Sequence, residues 1–517
     1  MTKILETVNY FVWGIPALIL ILGVGLFLSI GTGFVQLRFF PKALKAFAHK
    51  FRGGKKEQSG TSQWQALCTA LSATIGTGNI AGVAGAIAIG GPGAFFWMWI
   101  CAILGMVTKY AEATLAVRYR RRSEKGGWIG GPMYMIQCGM GRRYIWLAGV
   151  YCFFGVVAAL GVGNATQVNA VISGVSSALE AVGLGCPREV GWLTGLCLAV
   201  LVALMLSGGA RRIGNVAEKL VPFAAGGYLI LAAGLLLLRL NAIPAAIGAI
   251  LQGAFSPQAV TGGVIGSVFQ ALRVGASRGV FTNEAGMGTA SIAHASAEVQ
   301  HPAEQGLMGI MEVFLDTIVI CTMTALVILC SDAEITYGSD MGASLTSEAF
   351  STVYGAWVCV PIAGALCCFA VATILGWGLY GARCAQFLFG EKAWRPFVVL
   401  QTVTVLVSAL LRTDTVWLIS ETLNGLMAIP NLIALAWLSP ELFRLTKDYK
   451  SLLAGISANG GTYANFNQRK PLRAFSYAEI SSAGSGSKKE RKDHLPSEYR
   501  SAGSAHSKGL SGSCPQF

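Results

Sequence analysis

The chain runs to 517 residues, 54% of them hydrophobic and only 12% charged, with a mean hydropathy of +0.57. Soluble proteins carry about 25% charged residues, so lipid must solvate most of this one. The net charge of +14 does not point to nucleic acid, because the bases gather in alternate loops, and the 13 cysteines are mostly singletons in apolar segments (Cys68, Cys101, Cys152, Cys197, Cys321) without metal-ligand spacing or a secreted disulfide framework.

Apolar runs of roughly 17–25 residues, long enough to cross a bilayer, recur about eleven times. They lie near 10–33, 66–90, 93–117, 146–178, 191–207, 215–238, 259–290, 308–330, 357–388, 396–411 and 415–438. The stretch Met1–Glu6 lacks the basic region and small-residue cleavage site of a signal peptide, so the first run reads as a retained span. The expectation is an all-α polytopic membrane protein.

The second span carries Ser72-Ala73-Thr74-Ile75-Gly76-Thr77-Gly78-Asn79-Ile80-Ala81-Gly82 at its middle. Glycine costs about 1 kcal/mol per helix position relative to alanine, so Gly76 and Gly78 weaken the helix where a span should be firmest. Unwound backbone at membrane depth persists only where protein buries it or a watery cavity meets it. Two readings stay open here: a broken helix holding a solute at the midplane, or a tight small-residue packing seam. The fourth span is long enough to tilt or project. The seventh, interrupted by Arg273, Gly275, Arg278 and Gly279, reads as broken like the second.

Lys and Arg in short loops set orientation. They cluster at Arg38–Lys56 between spans one and two, Arg118–Arg143 between three and four, Arg211 and Arg212 between five and six, and Arg383, Lys392 and Arg395 between nine and ten. The alternate loops hold few bases, with Arg188 alone in one and Asp332, Glu334, Asp340 and Glu348 in another. This alternation puts the N-terminus outside and the C-terminus in the cytoplasm. Residues 1–445 then form the membrane domain. Residues 446–517, rich in Ser, Gly, Lys and Arg, read as a disordered cytoplasmic tail that could touch anionic lipid. With the first span peripheral, spans two to six (about 66–238) and seven to eleven (about 259–438) make two blocks of five. The blocks run in opposite directions and each begins with a broken helix, the pattern of an inverted repeat.

At the first break, Thr77, Gly78 and Asn79 offer freed backbone, a hydroxyl and an amide. A half-helix N-terminus favours a carboxylate, and unwound carbonyls favour a small cation, which suits a zwitterion travelling with Na⁺. Val274 and Gly275 are the corresponding backbone of the seventh span. Asn164, Thr166, Gln167 and Asn169 interrupt the fourth span, where Gln167 could bond a ligand or the group could be interhelical glue. Thr373 and Trp377, four apart, share a face of the ninth span. Lys109, Glu112, Glu312 and Asp316 are intramembrane charges suited to gating, to a proton relay or to a structural ion pair between spans three and eight. His49, His294 and His301 read as loop residues, and no enzyme constellation or phosphate loop is present.

Three stretches resemble the alanine or glycine:cation symporter family (sodium:alanine symporters) of the amino acid–polyamine–cation group. They are Ala73–Gly82, Gly90-Gly91-Pro92-Gly93-Ala94-Phe95-Phe96-Trp97-Met98-Trp99-Ile100 with Gly105, and Arg278-Gly279-Val280-Phe281-Thr282-Asn283-Glu284-Ala285-Gly286-Met287-Gly288. The likeness spans roughly residues 10–445. It implies a leucine-transporter type five-plus-five inverted repeat with one peripheral helix and two discontinuous ones. It implies uptake of alanine or glycine coupled to Na⁺, sometimes H⁺, with no covalent cofactor. Substrate would touch Thr77, Gly78, Asn79, Gln167, Val274, Gly275, Thr373 and Trp377. Sodium would sit near Ala73, Gly76 and Thr373, and Ala170 would line a small pocket wall. Glu284, inside the third motif, joins the candidate gating or structural charges. The expectation is a multi-pass symporter of the cell inner membrane whose partners are a small neutral amino acid, sodium and the bilayer. The alternatives are a proton-coupled or broader amino-acid carrier and, in another class, an amino-acid-responsive channel or sensor.

Overall fold

Apolar segments that lack water must close their backbone hydrogen bonds internally, and helices do so segment by segment. The computed structural model describes residues 14–52, 60–123, 127–185, 188–265, 267–339, 342–410 and 413–458, and the described chain is almost entirely helical. The two-residue strands Arg121–Arg122 (β1) and Trp128–Ile129 (β2) pair antiparallel in one loop. Six continuous helices are long and apolar enough to cross a membrane: 92–118, 142–181, 190–207, 209–238, 302–330 and 356–389. Two bent pairs pass the same test as units, which brings the number among the described residues to as many as eight, and two shorter apolar helices, Pro16–Thr32 and Leu240–Phe255, accompany them.

In chain order, α1 (Ile15–Thr32) precedes a helix rich in both bases and aromatics, α2 (Phe40–Phe51). The first broken span is α3 (Gln63–Thr74) and α4 (Ala81–Gly90), bent by 59°. Then come α5 (Pro92–Arg118), and α6 (Ile145–Leu160) joined to α7 (Thr166–Ala181) through a π-helical stretch at Gly161–Ala165. α8 (Arg188–Ser207), α9 (Gly209–Leu238) and the shorter α10 (Ile243–Phe255) complete the first half. The second half holds α11 (Val268–Asn283), α12 (Thr289–His294), α13 (Pro302–Val313), a π stretch at Phe314–Cys321, α14 (Thr322–Cys330) and α15 (Gly342–Tyr354). It ends with α16 (Cys359–Phe389), α17 (Trp394–Ser408), α18 (Thr413–Trp437) and α19 (Ser439–Ala458).

α16 occupies the middle, packing on α3, α6, α7 and α9, while α5 packs on α11 and α13. The outer faces are apolar and bare, as lipid requires: Phe223, Ile230 and Leu237 of α9 are each about 70% exposed (75%, 73% and 68%).

Two expectations need correction. The seventh span is not broken at Val274 and Gly275, because α11 is a continuous helix from Val268 to Asn283. A single glycine costs a helix only about 1 kcal/mol, and packing outweighs that cost here. A Cβ on Gly275 would stand 2.8 Å from the Trp97 Cβ and collide with the Ala94 carbonyl, so this glycine lets α11 press against α5. The chain turns instead at Glu284, Gly286 and Gly288, all with positive φ. Secondly, order does not stop at residue 445: α19 runs to Ala458, anchored by Arg118 donating to Glu441 across 2.7 Å. The rest of the expected tail lies outside the described residues.

Candidate functional site

The break between α3 and α4 forms where the sequence is poorest in helix formers. Ile75 and Gly76 are extended, Thr77–Asn79 make one 3₁₀ turn, and α4 starts afresh at Ala81. Such a break strands backbone groups at both new ends. Among the described residues no N–H reaches the carbonyls of Ser72, Ala73 or Thr74, and the N–H groups of Thr77 and Gly78 open the 3₁₀ turn without an intrahelical acceptor. Carbonyls thus gather at one lip of the break and N–H groups at the other.

Three elements converge on it. Thr373 of α16 faces Gly76 so closely that a Cβ there would stand 2.5 Å from its Oγ1. Gln167 of α7 accepts from the Thr77 hydroxyl at 3.1 Å, while its own amide nitrogen donates to the Val162 carbonyl in the preceding π stretch and to the Thr166 hydroxyl at the start of α7. Trp377, one turn on from Thr373, lies against Gly163 in that π stretch, where a Cβ would meet the indole Cγ at 2.8 Å. π stretches recur at functional sites because they break the i→i+4 ladder and re-aim side chains. Thr373 Oγ1 is buried without a hydrogen-bond partner, and the buried Trp377 indole closes no bond of good geometry, although the Glu284 carboxylate is within its reach. Buried hydroxyl and indole donors almost always find partners. An unpartnered buried hydroxyl at a helix break therefore marks a place where a polar guest belongs.

Asn79 plays a different part. Its Oδ1 accepts from the Gly76 N–H at 2.8 Å, and its Nδ2 donates to Asp316 Oδ1 at 2.6 Å, so the amide braces the break from behind. Thr317 donates to the other oxygen of Asp316 at 2.8 Å, and Asn283 Nδ2 donates to Thr317 at 3.2 Å. Asn283 Oδ1 in turn accepts from the Ala285 N–H at 3.0 Å. A continuous hydrogen-bonded chain thus joins the first break to the turn that follows α11. The two also touch directly, since a Cβ on Gly78 would lie 3.1 Å from Thr282 Cγ2 and 3.5 Å from the Phe281 ring. Thr282 and Phe281, not Val274 and Gly275, bring α11 to the break.

The turn after α11 is held by Glu112 of α5, whose Oε1 accepts from the N–H groups of Gly286 and Gly288 at 3.0 Å each and from Asn431 Nδ2 at 2.8 Å. Glu284 accepts from the Thr289 hydroxyl. Lys109 pairs with Glu312 at 3.0 Å with both side chains fully buried. This is the ion pair between the third and eighth spans that the sequence left open against a relay. The other Glu312 oxygen meets His294 Nε2 at 2.8 Å, and Gln305 holds the far ring nitrogen at 2.7 Å. His294 is therefore a buried helix residue rather than a loop one. Asn164 and Asn169 are glue toward α17: Asn164 exchanges hydrogen bonds with Gln401, and Asn169 donates to Ser408.

A cavity of about 1750 Å³ opens at one end of the bundle and reaches α3 and α16, the helices that frame the break. Its wall takes in Thr69 of α3 and Leu379 of α16, each close in sequence to the site, and opens among Arg122, Arg211, Arg383 and Arg395. The base-rich loops therefore do share one end of the molecule. The β1–β2 hairpin guards that mouth. Trp128 lies between the guanidinium groups of Arg120 and Arg122, 4.2 and 4.1 Å from the ring, and donates to Glu298 at 2.9 Å. Glu298 is tied back to the start of the first broken span, its N–H donating to the Thr61 carbonyl at 3.0 Å.

A helical bundle with a broken central span, open backbone groups at the break and a polar vestibule reaching the helices that frame it is a secondary membrane transporter, not an enzyme. The chain belongs to the sodium:alanine symporter family, which matches residues 1–457. It is 41% identical to the sodium/alanine symporter AgcS of Methanococcus maripaludis over 463 residues, covering 88% of this chain and 99% of that one. It is 42% identical over 450 residues to an uncharacterised transporter of Haemophilus influenzae, covering 86% of this chain and 96% of its relative. Its fold resembles that of MhsT, crystallised in complex with L-phenylalanine, with a TM-score of 0.54 at 13% identity over 76% of this chain and 99% of MhsT. Membership of this family supports amino-acid transport coupled to a cation.

Proposed function

We propose that the protein imports small neutral amino acids, alanine and glycine, with Na⁺ across the cell inner membrane by alternating access. The observation that carries this reading is the buried, unpartnered Thr373 hydroxyl beside the unwound Gly76–Gly78 backbone. The amino-acid carboxylate sits at the Thr77 and Gly78 N–H groups, at the positive end of α4. Gln167 fixes the Thr77 side chain against it. Sodium takes the carbonyl lip of Ala73 and its neighbours together with Gly76 and the Thr373 hydroxyl, since hard cations prefer oxygen ligands. Trp377 caps the pocket and Ala170 keeps the far wall small, which limits the side chain to hydrogen or methyl. Asn79 acts through Gly76 and Asp316, keeping the break in shape.

In this reading the chain has the leucine-transporter type inverted repeat, with α3–α9 and α11–α18 as its halves and α1 outside them. The basic end faces the cytoplasm, as the positive-inside rule requires, so the vestibule is the route of release. One charge entering across 100 mV gains about 2.3 kcal/mol, enough for more than tenfold accumulation before the Na⁺ gradient is counted.

Uptake of labelled alanine and glycine into proteoliposomes, with Na⁺ and H⁺ gradients imposed separately, tests the coupling. Uptake should follow the Na⁺ gradient; uptake indifferent to Na⁺ but driven by protons would overturn it. Exchange of labelled for unlabelled alanine separates a carrier from a channel or sensor. Asn79→Ala and Trp377→Ala should each abolish uptake while the protein still inserts, and wild-type rates in both would misplace the pocket.

A further inference from the structure

A second cavity, of about 790 Å³, opens at the same basic end but away from the break, between α2, α13 and α19. One wall is a row of bases on α2, Lys42, Lys45, His49 and Lys50, and the other is apolar, with Leu307 of α13 and Leu453 of α19. Among the described residues none of these lysines forms an ion pair. The two acids on the rim are occupied: Glu298 accepts from Trp128, and Glu304 stands in the first turn of α13, where the helix dipole favours it. Three lysines against these two carboxylates leave the cavity net positive.

The spacing of α2 tells what sits beside those lysines. Phe40, Leu44, Phe47 and Phe51 fall on one helical face, and Lys42, Lys45 and His49 on the opposite one. Phe40 and Phe47 seat the helix on the bundle, with ring centroids 4.8 Å from Phe314 and 5.7 Å from Trp64. Leu44 and Phe51 remain 43% and 61% exposed, although the Phe51 ring also meets Trp64 edge-on with centroids 5.6 Å apart. A helix with bases on one side and exposed large apolar side chains on the other lies in the plane of the membrane interface. A soluble anion in the cavity would use the lysines and leave its apolar wall of Leu307 and Leu453 idle, whereas a lipid uses both.

We propose that this cavity binds the headgroup of an anionic phospholipid, held by Lys42, Lys45 and Lys50 with its acyl chains against the apolar wall of Leu307 and Leu453. Basic pockets between helices recognise such headgroups on the cytoplasmic leaflet. The assignment of leaflet rests on reading the basic end as cytoplasmic; the site itself does not depend on the transport reading. The chain's own remaining segments are net basic: residues 53–59 carry Lys55 and Lys56 against Glu57, and the stretch beyond 458 carries nine Lys and Arg against Glu479, Glu490, Asp493 and Glu498.

The test is lipid retention by the purified full-length protein, measured by native mass spectrometry with phosphatidylglycerol and phosphatidylcholine of matched chains. Phosphatidylglycerol should be kept and phosphatidylcholine lost. The triple variant Lys42→Gln/Lys45→Gln/Lys50→Gln should retain phosphatidylglycerol about tenfold or more weakly, each base near the surface contributing severalfold. The corresponding Lys→Arg triple should retain it as the wild type does. Equal retention of the two lipids, or an unchanged Gln triple, would overturn the proposal. So would displacement of phosphatidylglycerol by millimolar inorganic phosphate or glycerol 3-phosphate, which would make this a site for a soluble phosphate. Because no transport is measured, failure here leaves the symport reading untouched.

Discussion

The two interruptions of the helical core face each other yet are finished in opposite ways. At the first, Ser72–Asn79, backbone carbonyls and N–H groups are left open, and the side chain that faces Gly76, Thr373, carries an unpartnered hydroxyl. At the second, Glu284–Gly288, the freed N–H groups are already taken: Ala285 by Asn283, and Gly286 and Gly288 by Glu112. A break whose hydrogen-bonding groups are met from within is a built turn. One whose groups are left unmet in a buried setting is a receptacle, because burying unpaired polar groups is otherwise costly. Broken backbone at membrane depth is thus not by itself a binding signal, and the accounting of donors and acceptors decides.

If that distinction is right, stability and transport should separate as residues are changed from the closed turn to the open break. The largest effect on the empty protein belongs to Glu112→Ala. It removes one acceptor of three buried donors, and each unpaired donor costs about 1–3 kcal/mol. Thermal unfolding in detergent should drop sharply or the protein should fail to purify, with Glu112→Gln in between because an amide oxygen still accepts. An unchanged Tm in Glu112→Ala would mean that the second turn is held by something else.

Gly275→Ala comes next. The added methyl runs into the Ala94 carbonyl, and overpacking of this kind costs about 1–3 kcal/mol. The expected result is a lower Tm with alanine affinity kept in the molecules that remain folded. Loss of alanine affinity at unchanged Tm would restore Gly275 to the pocket and undo its reading as a packing glycine. A smaller drop, about 1 kcal/mol for a single neutral hydrogen-bonded side chain, should follow Asn283→Ala, which cuts the link from Asp316 to the turn. Its signature is in transport: the first break keeps its groups, so binding persists while turnover slows. Equal losses in binding and turnover would show that Asn283 belongs to the pocket.

Much of this layout could be read in the chain itself. Gly76 and Gly78 amid hydroxyls and an amide announced the first break, and the four-residue spacing of Thr373 and Trp377 put both on the face that meets it. The second break was misplaced for a definable reason. Glycine marks both helix interruption and close helix packing, and Gly275 serves packing. The better signal lay a few residues on, where Gly286 and Gly288 alternate after Asn283-Glu284, residues that tolerate positive φ or end helices. The Asn79–Asp316 link and the Trp377–Gly163 contact were not legible, because both depend on π stretches that shift the phase of a helix by a residue, and an apolar periodicity of 3.6 gives no warning of them. Composition also ended the ordered chain too soon, since α19 is polar yet is held by its Glu441 bridge to Arg118.

The smallest effect on the empty protein, and the sharpest contrast, belongs to Thr373→Val. The two side chains have the same shape, and the hydroxyl has no partner to lose. Replacing an unsatisfied buried hydroxyl by a methyl should leave Tm unchanged or raise it slightly. Anything that binds the native state raises Tm in proportion to RT ln(1 + [L]/Kd). Wild-type protein should therefore gain thermal stability on adding Na⁺ and alanine together. The valine variant should lose most of that gain, with uptake reduced at least tenfold, because the group removed is one that only the guest satisfies. A Tm that falls in the valine variant without ligand would show that the hydroxyl already has work inside the protein, and the first break would then be as closed as the second.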